Sequence, residues 1–172
     1  LTQRVNAKFT TPQEERGQSL FTIAQKGNCA ACHTLKPDSR DPRDSLFTDF
    51  GFHALGVPRN TDVAQGGQFD LGYCTTQPGG AVATERWCGW FKTPTLRNVE
   101  LTAPYMHDGS LKTLEDVVAY YNAGGSADPG KDPRIKPLGL SDDEQKSLVA
   151  FLRSLTSTEM PGAQHGIQIP KP

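Results

Sequence analysis

The stretch Cys29-Ala30-Ala31-Cys32-His33 carries the most specific chemistry in this chain. Two thiols separated by two residues reach one edge of a porphyrin and form thioethers with its vinyl groups. The histidine that follows at once brings its imidazole under the iron. The pattern reads as attachment of one covalent c-type haem, with Cys29 and Cys32 as anchor points and His33 as proximal ligand. A zinc half-site or a redox CxxC with a chance histidine is the competing reading.

The distal side of the iron has several candidates: Met106, Met160, His53, His107, His165 and the tyrosines. Met160 and His165 lie in a Gly- and Pro-containing tail. His53 lies among apolar residues in DFGFHALGVP, where a hydrogen-bonded core histidine is the ordinary role. Tyr121 has a sharper case. Leu114, Val117, Val118 and Tyr121 stand at i, i+3, i+4 and i+7, so they share one helix face that must turn inward. A buried tyrosine needs a partner for its oxygen. Ferric iron is one such partner; a carbonyl or a haem propionate is the other.

Two further cysteines, Cys74 and Cys88, fall in a stretch rich in Gly, Thr and Gln. Haem attachment of this type takes place outside the bacterial cytoplasm, where a spare pair oxidises. The expectation is a Cys74–Cys88 disulfide and a periplasmic or otherwise extracytoplasmic location. Two unrelated buried thiols are the alternative.

The elements that must position these groups are few. Thr11 and Glu14 have capping-box spacing with Pro12 at the first helical position, which predicts a helix over 12–26. Gly17, Leu20, Phe21 and Ala24 fall on one of its faces. A second helix is predicted over 114–122, capped by Thr113 with Asp116 three residues on, and stopped by Gly124–Gly125. A third is predicted over 142–155, opened by Ser141 and Glu144, with Leu148, Phe151, Leu152 and Leu155 as its stripe. Gly17 on the inner face would let the last helix cross the first closely, with Phe151 in the contact.

Residues 34–48 and 124–139 are polar loops, and no alternating pattern lasts long enough to predict a strand. The expected fold class is all-α: a cytochrome c-type haem domain with long loops and one disulfide. It would form a single domain over 1–172, with its core at about 11–157 and a tail at 158–172. Hydrophobic residues make up only 35% of the chain, so a large apolar cofactor would supply core that the residues do not. With a net charge of −1, nothing suggests a nucleic-acid surface. No apolar run approaches a membrane span. Leu1 in place of Met reads as the start of a processed or truncated chain.

CAACH, "FTDFGFHALGVPRN" (47–60), "FKTPTLRNVELTAPYMHDGSLKTLEDVVAYYNAGG" (91–125) and "LSDDEQKSLVAFLRSLT" (140–156) together resemble the bacterial di-haem cytochrome c peroxidases. The group includes the di-haem enzyme that matures the tryptophylquinone of methylamine dehydrogenase. The likeness is to the second haem domain of such proteins, which implies a separated domain or a cleaved piece. It also implies a partner in the form of a second haem domain or chain, and a redox protein as donor or acceptor. In the peroxidases the second haem is the electron-entry site, held by His and Met. The same offset from His107 reaches Tyr121 here, and the tryptophylquinone-forming enzyme has Tyr in that place. Met106 stands where the family commonly has an aromatic residue. The resemblance further implies a Ca²⁺ held partly by the backbone carbonyls of Thr102 and Pro104. Arg97 in PTLRN is the expected haem-propionate partner, because a guanidinium meets a carboxylate in a bidentate pair.

Two functions follow as expectations. A haem closed on both faces passes electrons to or from a peroxide-reacting haem. A haem with an open distal site would be a peroxidase or oxygen-activating centre, with His107 or Glu115 as the acid–base group over it. A purely structural haem module is a third class.

Overall fold

Each helix starts on the side chain that its sequence marks as a cap. In the computed structural model, which describes residues 11–36, 44–63, 70–75 and 87–157, helix α1 spans Pro12–Thr22. Thr11 Oγ1 accepts from Glu14 N–H, and the Glu14 carboxylate accepts from Thr11 N–H. Helix α2 spans Leu114–Asn122 on the Thr113/Asp116 pair, and α3 spans Asp142–Ser154 on Ser141/Glu144. Each such cap contributes about 1 kcal/mol, which matters for a helix as short as α2.

Helix α1 stops at Thr22 rather than at Lys26. Ile23 leaves in an extended conformation, and the chain folds back so that Gly27 N–H donates to Leu20 O. A Cβ at Gly27 would collide with that carbonyl. Ala24, expected on the inner face, is exposed in this turn. The reversal delivers a 3₁₀ turn over Cys29–Ala31 at the end of α1.

Helices α1 and α3 pack face to face. Gly17, Leu20 and Phe21 are buried against Ser147, Leu148, Phe151 and Leu152. The crossing at Gly17 is as close as its sequence position suggested. A Cβ there would lie 2.7 Å from Phe151 Cβ and closer still to Ser147 O. Phe21, Phe47 and Phe151 meet at tilted or edge-on angles, with centroids 5.1 to 6.4 Å apart. Leu114 and Val118 of α2 join this core.

The fold is not all-α. Strand β1, Phe52–Ala54, pairs antiparallel with β2, Trp90–Lys92, in the register Phe52↔Lys92, His53↔Phe91, Ala54↔Trp90. Three-residue strands are too short to show alternation in sequence. Phe52, Trp90 and Phe91 nonetheless have the aromatic character that suits a pleated surface. The Cys74–Cys88 disulfide is present. It holds the 3₁₀ turn Tyr73–Thr75 beside β2, where Gly89 N–H donates to Leu71 O. Among the described residues no helix is long and apolar enough to cross a membrane. The tail from 158 onward, with Met160 and His165, lies outside the described residues.

Candidate haem site

Between the Cys29–Ala31 turn, α2 and the two loops that face it lies a cavity of about 1370 Å³. Its wall includes Cys29, Cys32, His33 and Tyr121, with Leu96, Val99, Leu114 and Leu152 as apolar floor. The motif therefore opens onto a large, mostly apolar space, as a porphyrin requires.

His33 is oriented before any metal arrives. Its Nδ1 lies 2.8 Å from Phe47 O. A carbonyl only accepts, so Nδ1 carries the proton and Nε2 keeps the lone pair that a metal takes. Burial lowers the His33 pKa, with the Phe47 contact opposing, so the ring is neutral at neutral pH. The segment that supplies this carbonyl is tied down by Thr34 Oγ1 donating to Thr48 O and Phe47 N–H donating to Thr34 O.

The two motif thiols are free and unpaired with each other. Burial pushes the Cys29 thiol up to about 12, and burial also raises Cys32. A redox CxxC has the opposite requirement, a thiolate stabilised at neutral pH. The donor set fits covalent haem: two neutral thiols, one pre-oriented imidazole and an apolar cavity.

Five of the distal candidates line the cavity: Tyr121, Tyr105, Met106, His53 and His107. They differ in what already occupies them. His53 Nε2 lies 2.8 Å from Asp49 Oδ2, and Arg134 Nη2 lies 2.8 Å from His53 Nδ1. Both ring nitrogens are engaged, which leaves no lone pair for iron. His107 is exposed and stacks on Phe91 with centroids 3.8 Å apart. Met106 sits in the left-handed region at φ 69° and is half-buried. Tyr121 is half-buried, its ring against Tyr120 at 5.7 Å, and its hydroxyl makes no hydrogen bond among the described residues. Burial, together with the nearby Cys29 sulfur, raises its pKa. Glu115 is exposed and accepts from Arg153 at 2.8 Å, away from the cavity.

Arg97 does not line the cavity, although its neighbours Leu96 and Thr95 do. The cations on the wall are Lys26, Arg59, Lys92, Arg134 and Lys136. Of these, Arg134 was not singled out in the sequence because it sits in a polar loop that reads as solvated. Its signal was the Asp132-Pro133-Arg134 triplet, in which Asp132 accepts from Arg134 Nε at 3.0 Å. Thr102 and Pro104 reach the cavity rim, both exposed, and neither carbonyl accepts a hydrogen bond among the described residues.

Comparison with known proteins agrees with this geometry. The cytochrome c family model matches residues 14–156. The chain is 38% identical over 167 residues to the cytochrome-c peroxidase IdrP1 of Denitromonas iodatirespirans, covering 86% of this chain and 41% of that protein. It is 38% identical over 141 residues to the methylamine utilization protein MauG of Methylorubrum extorquens, covering 82% of this chain and 34% of that one. The crystal structure of the diheme peroxidase BthA from Burkholderia thailandensis superposes with a TM-score of 0.75 at 36% identity. That match covers 90% of this chain and 45% of BthA. The chain thus spans about two fifths of the length of the curated relatives it matches.

Proposed function

Given that the chain belongs to the cytochrome c family, and within it to the di-haem peroxidases that include MauG, we propose that it is the electron-transfer haem domain of such a peroxidase. The proposed unit is a single haem domain with its core at about 11–157. It holds one covalent haem c on Cys29 and Cys32, with His33 and Tyr121 on the iron. A second haem domain or chain, which reacts with peroxide, exchanges electrons with it, and a redox protein serves as donor or acceptor.

The observation that carries this reading is the state of Tyr121. Tyr121 lines the same cavity as His33, and its hydroxyl has no hydrogen-bond partner among the described residues. A phenol in such a place is stable when its oxygen meets a cation. A bound haem c supplies a one-electron redox centre. Tyr121 as a phenolate keeps water and peroxide off the metal and favours the ferric state, because a hard anion suits the higher charge. His33, fixed by Phe47 O, would be the second protein ligand to the iron. The free carbonyls of Thr102 and Pro104 support a Ca²⁺ at the cavity rim, completed by ligands from the partner domain. The disulfide favours an oxidising, extracytoplasmic location.

The test is substitution of Tyr121 in the haem-loaded protein. Tyr121→Met is expected to raise the reduction potential, since a thioether stabilises ferrous iron. Tyr121→Phe is expected to give a high-spin ferric spectrum. A Tyr121→Phe protein with the parent ferric spectrum ends the assignment, and Met106 then becomes the candidate.

A further inference from the structure

We infer that Tyr120 and Asn122, the residues on either side of Tyr121, are positioning residues that hold its oxygen at the cavity; this rests on the reading of Tyr121 as a ligand. Consecutive helix residues turn by about 100°. With Tyr121 on the cavity, its two neighbours leave to opposite sides, and each finds a separate anchor. Tyr120 Oη lies 2.9 Å from Leu55 O and 2.9 Å from Gly56 O. Its one proton serves either carbonyl. Asn122 makes a reciprocal pair with Leu140: Nδ2 donates to Leu140 O at 3.1 Å, and Leu140 N–H donates to Oδ1 at 2.8 Å. Leu138 N–H adds a bond to Asn122 O at 3.2 Å.

These bonds matter because packing does not fix this end of the helix. The buried residues of α2 are Leu114 and Val118, both in its first two turns. From Ala119 to Ala123 every residue is half-buried or exposed. The last turn, which carries Tyr121, is therefore located mainly by the hydrogen bonds of Tyr120 and Asn122. Three of the residues that anchor it, Leu55, Gly56 and Leu138, line the cavity wall. Gly56 O also accepts from Ser126 Oγ, which ties the loop after α2 to the same point. The arrangement grips α2 from both sides at the level of Tyr121. Loss of either grip lets the last turn rotate and withdraw the phenol.

The experiment compares Tyr120→Phe and Asn122→Ala with two references, Tyr121→Phe and Thr113→Ala, all as haem-loaded protein. Thr113→Ala removes the cap at the far end of α2 and serves as a control for general loosening. Ferric spin state by optical and paramagnetic resonance spectra, and the midpoint potential, are read well below each unfolding temperature. Tyr120→Phe and Asn122→Ala are expected to raise the high-spin fraction by about fivefold, the population shift that loss of one hydrogen bond produces. Thr113→Ala is expected to melt earlier with the parent spectrum. Asn122→Asp keeps the acceptor for Leu140 N–H and is expected to fall between parent and Asn122→Ala. If Asn122→Ala does not fold, Tyr120→Phe and Asn122→Asp decide. Parent spin state and potential in those variants, alongside a changed Tyr121→Phe, overturn the positioning role while leaving the ligand assignment intact. An unchanged Tyr121→Phe removes both.

Discussion

His33 Nδ1 and Phe47 O stand 2.8 Å apart, and this contact fixes the tautomer and orientation of the imidazole. Phe47 is itself fully buried at the meeting point of α1 and α3, edge-on to Phe21. Its φ of 53° turns the backbone so that ring and carbonyl serve different tasks. The ring fills the core and the carbonyl fixes the imidazole. The helix packing thus reaches His33, the proposed metal ligand, through one residue.

His33→Ala is expected to keep haem covalently bound, because Cys29 and Cys32 are untouched, while the ferric spectrum turns high-spin. Added imidazole should restore the parent spectrum by entering the space the ring left. Acid–acetone extraction and intact mass report the attachment, and the optical titration reports the ligand. Haem released into the solvent would show that the thioethers do not exist.

The Cys74–Cys88 bond closes a loop with a sequence separation of 14. The chain-entropy model gives a loop of that length about 3 kcal/mol of stabilisation. The double variant Cys74→Ser/Cys88→Ser is expected to unfold at a distinctly lower urea concentration, with β2 freed from the 71–75 segment. Thiol titration of the denatured, non-reduced parent should find no free thiol once Cys29 and Cys32 carry haem. Two titratable groups in fully loaded protein would contradict the bond.

Much of the site could be read from side-chain order. Thr11/Glu14, Thr113/Asp116 and Ser141/Glu144 announced three helix starts, because a cap is a local interaction within four residues. Tyr121 followed from the i, i+3, i+4, i+7 spacing on α2, although the face it shares is divided in the fold. Val118 enters the core, Val117 and Tyr121 border the cavity, and Leu114 does both. What stayed hidden depends on distant segments. The β1–β2 pair joins residues far apart in sequence, with too few residues each for a period. The end of α1 is set by Gly27 meeting Leu20 O, a contact that composition does not reveal. Arg97 was favoured for its company in the chain; the guanidiniums on the wall are Arg59 and Arg134, the latter brought there by the fold of the 124–139 loop.

Gly17 gives a prediction in which two effects oppose. Alanine would favour the helix by about 1 kcal/mol through propensity. Its methyl would also enter the space of Ser147 O and Phe151 Cβ. The carbonyl belongs to α3 backbone and cannot swing aside, so overpacking of about 1–3 kcal/mol wins. Gly17→Ala is expected to lower the melting temperature, measured by circular dichroism. A higher melting temperature would mean the two helices separate at little cost.

Asp132 gives the pH dependence. Its carboxylate accepts from Arg134 Nε at 3.0 Å and Nη2 at 2.6 Å, and its own N–H donates to Ala54 O at 2.8 Å. The Arg134 pair holds the Asp132 carboxyl down at about 2, against an ordinary value of 3.8. A folded-state pKa below the unfolded one means stability that is fully present above 3.8 and lost as pH falls through about 2. Asp132→Asn removes the charge and leaves Arg134 facing His53 alone, at a cost of about 1–3 kcal/mol near neutrality. The gap between parent and variant should therefore be widest from neutral down to about pH 4 and narrow toward pH 2. Urea unfolding curves across that range measure it. A gap of constant size would assign the loss to packing of the 132–134 turn against β1, with the ion pair contributing nothing.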